Sequence, residues 1–361
     1  MHKTANYEKN GPLFFHPGGQ NSMEHDIERK KIKGQLEYLS VLQALMDFVK
    51  LIQYFKNTFL KNANAKVIAY GGEYSGIAWS STAPVRYFEN GFVKDNAFYY
   101  QLNYIYRNTP GCDVALLSER ILDVEKHTQL FDESVHTEEV AEKCKEFNQA
   151  WSIDERTSLQ DYSSTNRAAQ IYQMCSELPI YLGAGFTVDF VNGSTGQLAQ
   201  SFVGNLSFMS WPPYYYGTDL IKEFLEDYDL ERHLDNHFVE FAFGYDYATN
   251  GSTNIIFTTP ELAPWSSGAV SRDNYHNSIY SFSISAAAPK HDLYQPNNCD
   301  PLSVVATRFQ AVQILKCWTG QPPGPGVDCG DLENSVLQPL PIVEMEDLMR
   351  QGQSECSYIH K

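Results

Sequence analysis

Lys66-Val-Ile-Ala-Tyr-Gly-Gly-Glu-Tyr-Ser-Gly76 is the stretch from which the rest of the chain is read. Val67 to Tyr70 is a short apolar run bounded by turn residues, the pattern of a strand buried on both faces. Gly71-Gly72 supplies a tight turn, and the residues after it read as the start of a helix. A sharp strand-to-helix turn lifts the side chain at its apex clear of the sheet edge, where an attacking group can be presented. The apex residue here is Glu73.

Upstream, residues 1–35 are polar and Gly-rich and give no clear strand. Ser40 with Gln43 three residues on forms a capping box, and Leu42, Leu45, Phe48, Val49, Ile52 and Phe55 then fall on one helical face. Downstream, Ala115 to Phe131, Thr137 to Trp151 and Ser164 to Glu177 carry helical spacing, and Thr137 followed by Glu138 and Glu139 suits a helix start. Residues 181–217 read as loops, and Thr218 caps a helix to about Leu234. Asn254 to Thr258 and Ser278 to Ser285 are further strands. Asp300-Pro301 opens a helix with Asp as cap and Pro in its first turn, lined by Val304, Val305, Phe309, Val312, Ile314 and Leu315 up to Trp318. The organisation expected is an irregular segment over 1–35, an α/β core from 36–91 and 250–318, a helical cap inserted over 92–249, and a flexible tail over 319–361. No internal repeat is visible.

Composition narrows the function classes. The 361 residues hold 27 Lys plus Arg against 44 Asp plus Glu, a net charge of −17. That balance argues against nucleic-acid partners, whose phosphates need clustered cations. The longest apolar stretch, Leu36 to Phe59, is broken by Gln43, Asp47, Lys50, Gln53 and Lys56, so no membrane span is expected. His2, Lys3, Tyr7, Glu8 and Lys9 leave no apolar core for a signal peptide at residue 1. Seven cysteines (Cys112, Cys144, Cys175, Cys299, Cys317, Cys329, Cys356) contain no C-x-x-C pair, which speaks against zinc ribbons and redox motifs. The odd count leaves a thiol free or paired between chains, and a homodimer stays open. Sequons at Asn192, Asn205 and Asn250 point modestly to the secretory pathway. The 23 Tyr and 21 Phe are read as packing residues.

Two separated segments together resemble one family. Leu36-Glu-Tyr-Leu-Ser40 with its helix, then Val67-Ile-Ala-Tyr-Gly-Gly-Glu-Tyr-Ser-Gly76, is similar to "L-x-Y-L-S/T-x-x-Q-A-L-x-D" followed by "V-I-A-x-G-G-S-Y-x-G"; Ser81-Thr-Ala-Pro-Val85 resembles "S-S-A-P-V". Asn254-Ile-Ile-Phe257, then Glu261-Leu-Ala-Pro-Trp-Ser266, then Asp300-Pro301, resembles "N-I-I-F-S-N-G-x-L-D-P-W-S", "G-A-H-x-x-D" and "D-P-x-S-V" in the same order. Gln173-Met-Cys-Ser-Glu177 is a fainter likeness to "Q-x-C-T-E". These are patterns of the serine carboxypeptidases that include prolylcarboxypeptidase, dipeptidyl peptidase II and thymus-specific serine protease. The resemblance implies an α/β-hydrolase sheet, mostly parallel, with a helical cap. It also implies a secreted or lysosomal glycoprotein that needs no cofactor or metal and takes proline-containing peptides. Catalysis in such a family uses a Ser nucleophile, a His base and an Asp that orients the His.

Carried over residue by residue, the family's serine falls on Glu73, its aspartate on Ala263 and its histidine on Pro289; Tyr74 takes the oxyanion position. None of the three catalytic side chains is present, so the resemblance implies a silent active site. Against the family pattern, the strands before Ser40 and the strand between Gly76 and Ser80 are expected to be missing, which keeps open a shortened, poorly folding product. Another reading is a displaced set, with Ser75, His291 and Glu261 each two residues from a lost position; Ser75 is then about 100° of helix rotation per residue away from the apex direction. Glu73 as a carboxylate nucleophile lacks a base to complete turnover. His233 and His237 stand one helical turn apart without the Glu of H-E-x-x-H, and read as a solvated face. Gly71-Gly72 lacks the Lys of a phosphate loop, and Trp211-Pro-Pro-Tyr-Tyr-Tyr216 reads as loop packing, with stacking on a proline-rich peptide as its functional alternative.

Overall fold

A computed structural model describes residues 11–17, 40–72, 79–88, 97, 101, 104–105, 251–271, 273–296 and 300–338. The expected helices between 115 and 234, residues 73–78 and the sequons lie outside these.

Among the described residues, five parallel strands make one sheet in the order in which they occur along the chain: β1 (Leu13–Phe15), β2 (Val67–Gly72), β3 (Trp79–Ser81), β4 (Ile255–Pro260) and β5 (Ile279–Ile284). Two of them depart from the sequence expectation. Residues 1–35 do contribute a strand, β1, whose Phe14 sits opposite Ile68. The strand expected to be missing after Gly76 is present as β3, an interior strand between β2 and β4. Only three residues of β2 and β3 overlap, from Tyr70↔Trp79 to Gly72↔Ser81. The chain therefore returns by only two residue steps, about 7 Å, before pairing again.

Helix α1 (Val41–Tyr54) starts where expected: Ser40 Oγ accepts from the Gln43 amide at 3.2 Å. The reciprocal half of the capping box is replaced, since Gln43 Nε2 donates to Asp47 Oδ1 at 3.0 Å. Of the predicted apolar face, Leu45, Phe48, Ile52 and Phe55 are half-buried, with Phe48 edge-on to Phe15 of β1. Leu42 and Val49 remain about half exposed, at 47% and 46%.

The opposite helix, α2 (Leu302–Thr319), is the better buried one. Its Ala311, Ile314 and Leu315 pack on Ile68, Trp79, Ile256 and Tyr280, which project to one face from four neighbouring positions in the sheet. The predicted apolar face is partly corrected. Val312 is 39% exposed, while Thr307, Gln310 and Gln313 are buried. The two glutamines are satisfied by the returning chain: Gln310 Nε2 donates to the Val336 carbonyl at 2.8 Å, and the Gly324 amide donates to Gln313 Oε1 at 2.6 Å. Asp300 also differs from its expected role. Pro301 holds the cap position without a side-chain cap, because the Asp300 carboxylate turns to His291 and Arg308 instead.

The expected tail opens with an ordered stretch. A disulfide joins Cys317 to Cys329, a short helix α3 (Leu332–Ser335) follows, and Val336 enters the main core at 2% exposure. Among the described residues no helix is long and apolar enough to cross a membrane.

The polar centre of the fold is Asp292, 2% exposed. Its Oδ2 accepts from Trp79 Nε1 at 2.9 Å and from Thr258 Oγ1 at 2.6 Å; its Oδ1 accepts from Ser81 Oγ at 2.6 Å. Ser81 and Thr258 are direct partners across β3 and β4. One carboxylate thus ties two strands to the turn that follows β5. Hydrogen bonds to a charged group are the stronger kind, and a buried carboxylate needs all of them.

Two outcomes follow from these contacts. Asp292→Ala leaves an indole N–H and two hydroxyls buried without their acceptor, and is expected to lower stability by about 3 kcal/mol or more; chemical denaturation of the variant measures it, with Asp292→Asn falling between. Opening the disulfide with reductant, or making Cys317→Ser with Cys329→Ser, is expected to cost about 2–4 kcal/mol. The check is a urea titration with and without reductant.

Candidate functional site

In parallel α/β sheets, ligands bind beyond the carboxyl ends of the strands. Each triad position of the resemblance follows such an end. Position 73 comes directly after β2, Ala263 three residues after β4, and Pro289 five residues after β5. Glu73, Tyr74 and Ser75 lie outside the described residues; Ala263 and Pro289 are both within them and both buried.

The loops at these ends are bound to one another. The Glu261 amide donates to the Ile284 carbonyl and the Leu262 amide to the Ala287 carbonyl, each at 2.9 Å, joining the loops after β4 and β5. The Thr82 amide donates to the Thr258 carbonyl at 2.8 Å. The Lys290 amide donates to Thr82 Oγ1 at 3.1 Å, which brings the turn after β5 to the end of β3. Lys290 also covers Gly72: a Cβ at that glycine would collide with Lys290 Cγ and Cδ. The ends of β2, β3, β4 and β5 therefore meet in one place.

Two of the positions there, 263 and 289, are described. Ala263 is fully buried, at 0% exposure, at the start of the 3-10 turn Pro264–Gly268. Its methyl offers no acceptor for an imidazole N–H. Pro289 has no ring nitrogen that can take a proton, and no backbone N–H either. Next to this turn, Tyr87 packs edge-on to Trp265 at 5.7 Å and shares a 2.7 Å hydrogen bond with Ser267 Oγ. Burial holds the Tyr87 hydroxyl well above its ordinary pKa, so it stays neutral.

The structure does not join His291 to Glu261. His291 is fully buried, and its Nε2 lies 3.1 Å from Asp300 Oδ1. Arg308 of α2 closes the group: it pairs with Asp300 through Nη1, donates through Nε to the Asp292 carbonyl at 3.0 Å, and through Nη2 to the His291 carbonyl at 2.6 Å. Glu261 has other partners. Its Oε1 accepts from Tyr104 Oη at 2.8 Å and its Oε2 from the Ala286 amide at 2.9 Å. The bond to Glu261 raises the Tyr104 pKa.

Sequence reasoning missed Asp292 and Arg308 as organisers of this region. The signal for Asp292 was available, since the last residue of the "G-A-H-x-x-D" pattern falls on it. Arg308 carried no local signal. His233 and His237 lie outside the described residues, and among those described no three His, Cys, Asp or Glu side chains gather as metal ligands do.

Known proteins resemble this chain in sequence. Residues 19–83 match the family model described as serine carboxypeptidase S28. A Caenorhabditis elegans protein named as a serine protease, pcp-1, is 31% identical over 182 residues, 48% of this chain and 27% of that protein. The lysosomal Pro-X carboxypeptidase of Bos taurus is 23% identical over 353 residues, covering 78% of this chain and 69% of its own. The human lysosomal Pro-X carboxypeptidase is 22% identical over 372 residues, 84% and 72% of the two chains. The match thus spans about a quarter of the nematode protein and about 70% of the two mammalian ones. In its parallel sheet and in these stretches of sequence, the chain is similar to the serine carboxypeptidases of family S28.

Proposed function

We propose that this protein is a catalytically silent relative of the S28 peptidases that keeps a peptide-binding role without turnover. The observation that carries the reading is the coincidence of positions 73, 263 and 289 with the carboxyl ends of β2, β4 and β5, together with the residues found there. A triad needs a nucleophile, a base and an orienting acid within hydrogen-bond reach. Glu73, Ala263 and Pro289 supply none of these in the required roles. A carboxylate at the apex also sets negative charge where an oxyanion would form at the Tyr74 amide, which opposes acyl transfer.

The fold proposed is of α/β-hydrolase type, with residues 92–249 as a helical cap over the strand ends. The ligand class follows from the relatives named Pro-X carboxypeptidase: peptides containing proline. By the same route the compartment proposed is the lysosome or the secreted space, with glycans on Asn192, Asn205 and Asn250. The displaced set of Ser75, His291 and Glu261 finds less support, because His291 is buried against Asp300 and both carboxylate oxygens of Glu261 are engaged elsewhere.

A fluorophosphonate probe tests the proposal, since it labels any activated serine. The expected outcome is no labelling above background, and no hydrolysis of proline-containing peptides that still bind by calorimetry. Labelling that disappears in Ser75→Ala would instead establish a working displaced site.

A further inference from the structure

Past the end of α2 the chain folds into a small unit of its own. Residues 320–338 begin with Gly320, whose left-handed backbone (φ 72°) turns the chain out of the helix. The unit is knit within itself. The Val327 amide donates to the Gly324 carbonyl at 3.2 Å, the Gly330 amide to Asp328 Oδ1 at 2.8 Å, the Asn334 amide to Asp331 Oδ1 at 3.2 Å, and Ser335 Oγ to the Asp328 carbonyl at 3.0 Å. Its bonds to α2 run through two side chains: Gln313 Oε1 accepts from the Gly324 amide, and Gln310 Nε2 donates to the Val336 carbonyl. Val336 enters the main core, with Val327, Leu332 and Leu337 packed against the same cluster. A strap with its own internal bonds, seated by two amide side chains and a few apolar contacts, can leave the body as one unit.

The Cys317–Cys329 bond closes that strap onto the last turn of α2, across 12 residues of sequence. A covalent ring removes much of the freedom the strap would gain on leaving. Cys329 is exposed and Cys317 half-buried, so a small dithiol reaches the bond from solvent. Access is one of the properties that separates labile disulfides from inert ones. Beneath the strap, Gln310 and Gln313 are 8% and 4% exposed. Both are amides, which water can satisfy once the strap has gone. We infer that this disulfide is a redox-operated fastener: reduction frees residues 320–338 as one unit while the five-stranded sheet stays folded, and it opens α2 along Gln310, Gln313 and the seat of Val336. A dithiol supplies two electrons and two protons and leaves as its own disulfide, and Cys317 and Cys329 become thiols. A disulfide reagent runs the exchange in reverse and reseats the strap. The inference goes beyond the silent-site reading and does not rest on it.

Hydrogen–deuterium exchange on the full-length protein tests it. One arm compares the oxidised wild type with the variant carrying Cys317→Ser and Cys329→Ser, which leaves every other cysteine as it is. Amides of residues 321–338 are expected to exchange roughly a hundredfold faster in the variant, while those of β2, β4 and β5 keep their protection. The second arm treats the wild type with dithiothreitol and then iodoacetamide. Cys317 and Cys329 are expected to be alkylated with the sheet still protected, and the strap to exchange as it does in the variant. Where the serine variant fails to accumulate, this second arm decides. Unchanged exchange over 321–338, exchange that rises in strap and sheet together, or a bond that resists the dithiol until the sheet unfolds would each overturn the inference.

Discussion

The arrangement depends on one buried carboxylate. Asp292 accepts from Trp79, Ser81 and Thr258, so two neighbouring strands and the turn after β5 share a single acceptor. The negative charge is not left alone. Arg308 reaches up from α2 and binds the carbonyls of residues 291 and 292 while pairing with Asp300. A charge buried this deeply is tolerable only with its donors in place. The sheet end and the helix beneath it are consequently held in one geometry rather than several. That constraint explains how β3, only three residues long and two of them serine, can be an interior strand. Its serines are buried at 2% and 0%, and one of them serves the carboxylate.

This bears on what was legible in the sequence. β2, β4, β5 and both long helices announce themselves through apolar runs, caps and spacing, because those signals are local. β1 and β3 are too short to show periodicity, and β3 reads as polar because its burial is compensated by hydrogen bonds. Ser81 and Asp292 are 211 residues apart, and no window along the chain connects them. Asp300 looked like a helix cap by its position before Pro301. It became a partner of His291 and Arg308 only when the turn folded back over α2. The triad positions were expected from motif order alone, and Ala263 and Pro289 each lie a few residues after a strand end.

The substitutions also have a common sense. An alanine and a proline are small, rigid and uncharged, and both are buried here. Each fills its place without demanding a hydrogen-bond partner, whereas an orphaned histidine or aspartate would have demanded one. Polar organisation has not been lost from this region. It is found a few residues along, at Thr82, Lys290, His291 and Asp292.

The bond between Cys317 and Cys329 has a consequence for where the molecule can be completed. Reducing compartments keep thiols apart, and such bonds persist in oxidising ones. The segment this bond anchors carries Val336 into the main core beside Ile256 and Trp79. A chain made in a reducing cytoplasm would have to seat that segment without its tether, relying on the packing of Val336 and on the bonds to Gln310 and Gln313. The redox history of a preparation, as much as its sequence, then decides which molecule is being measured.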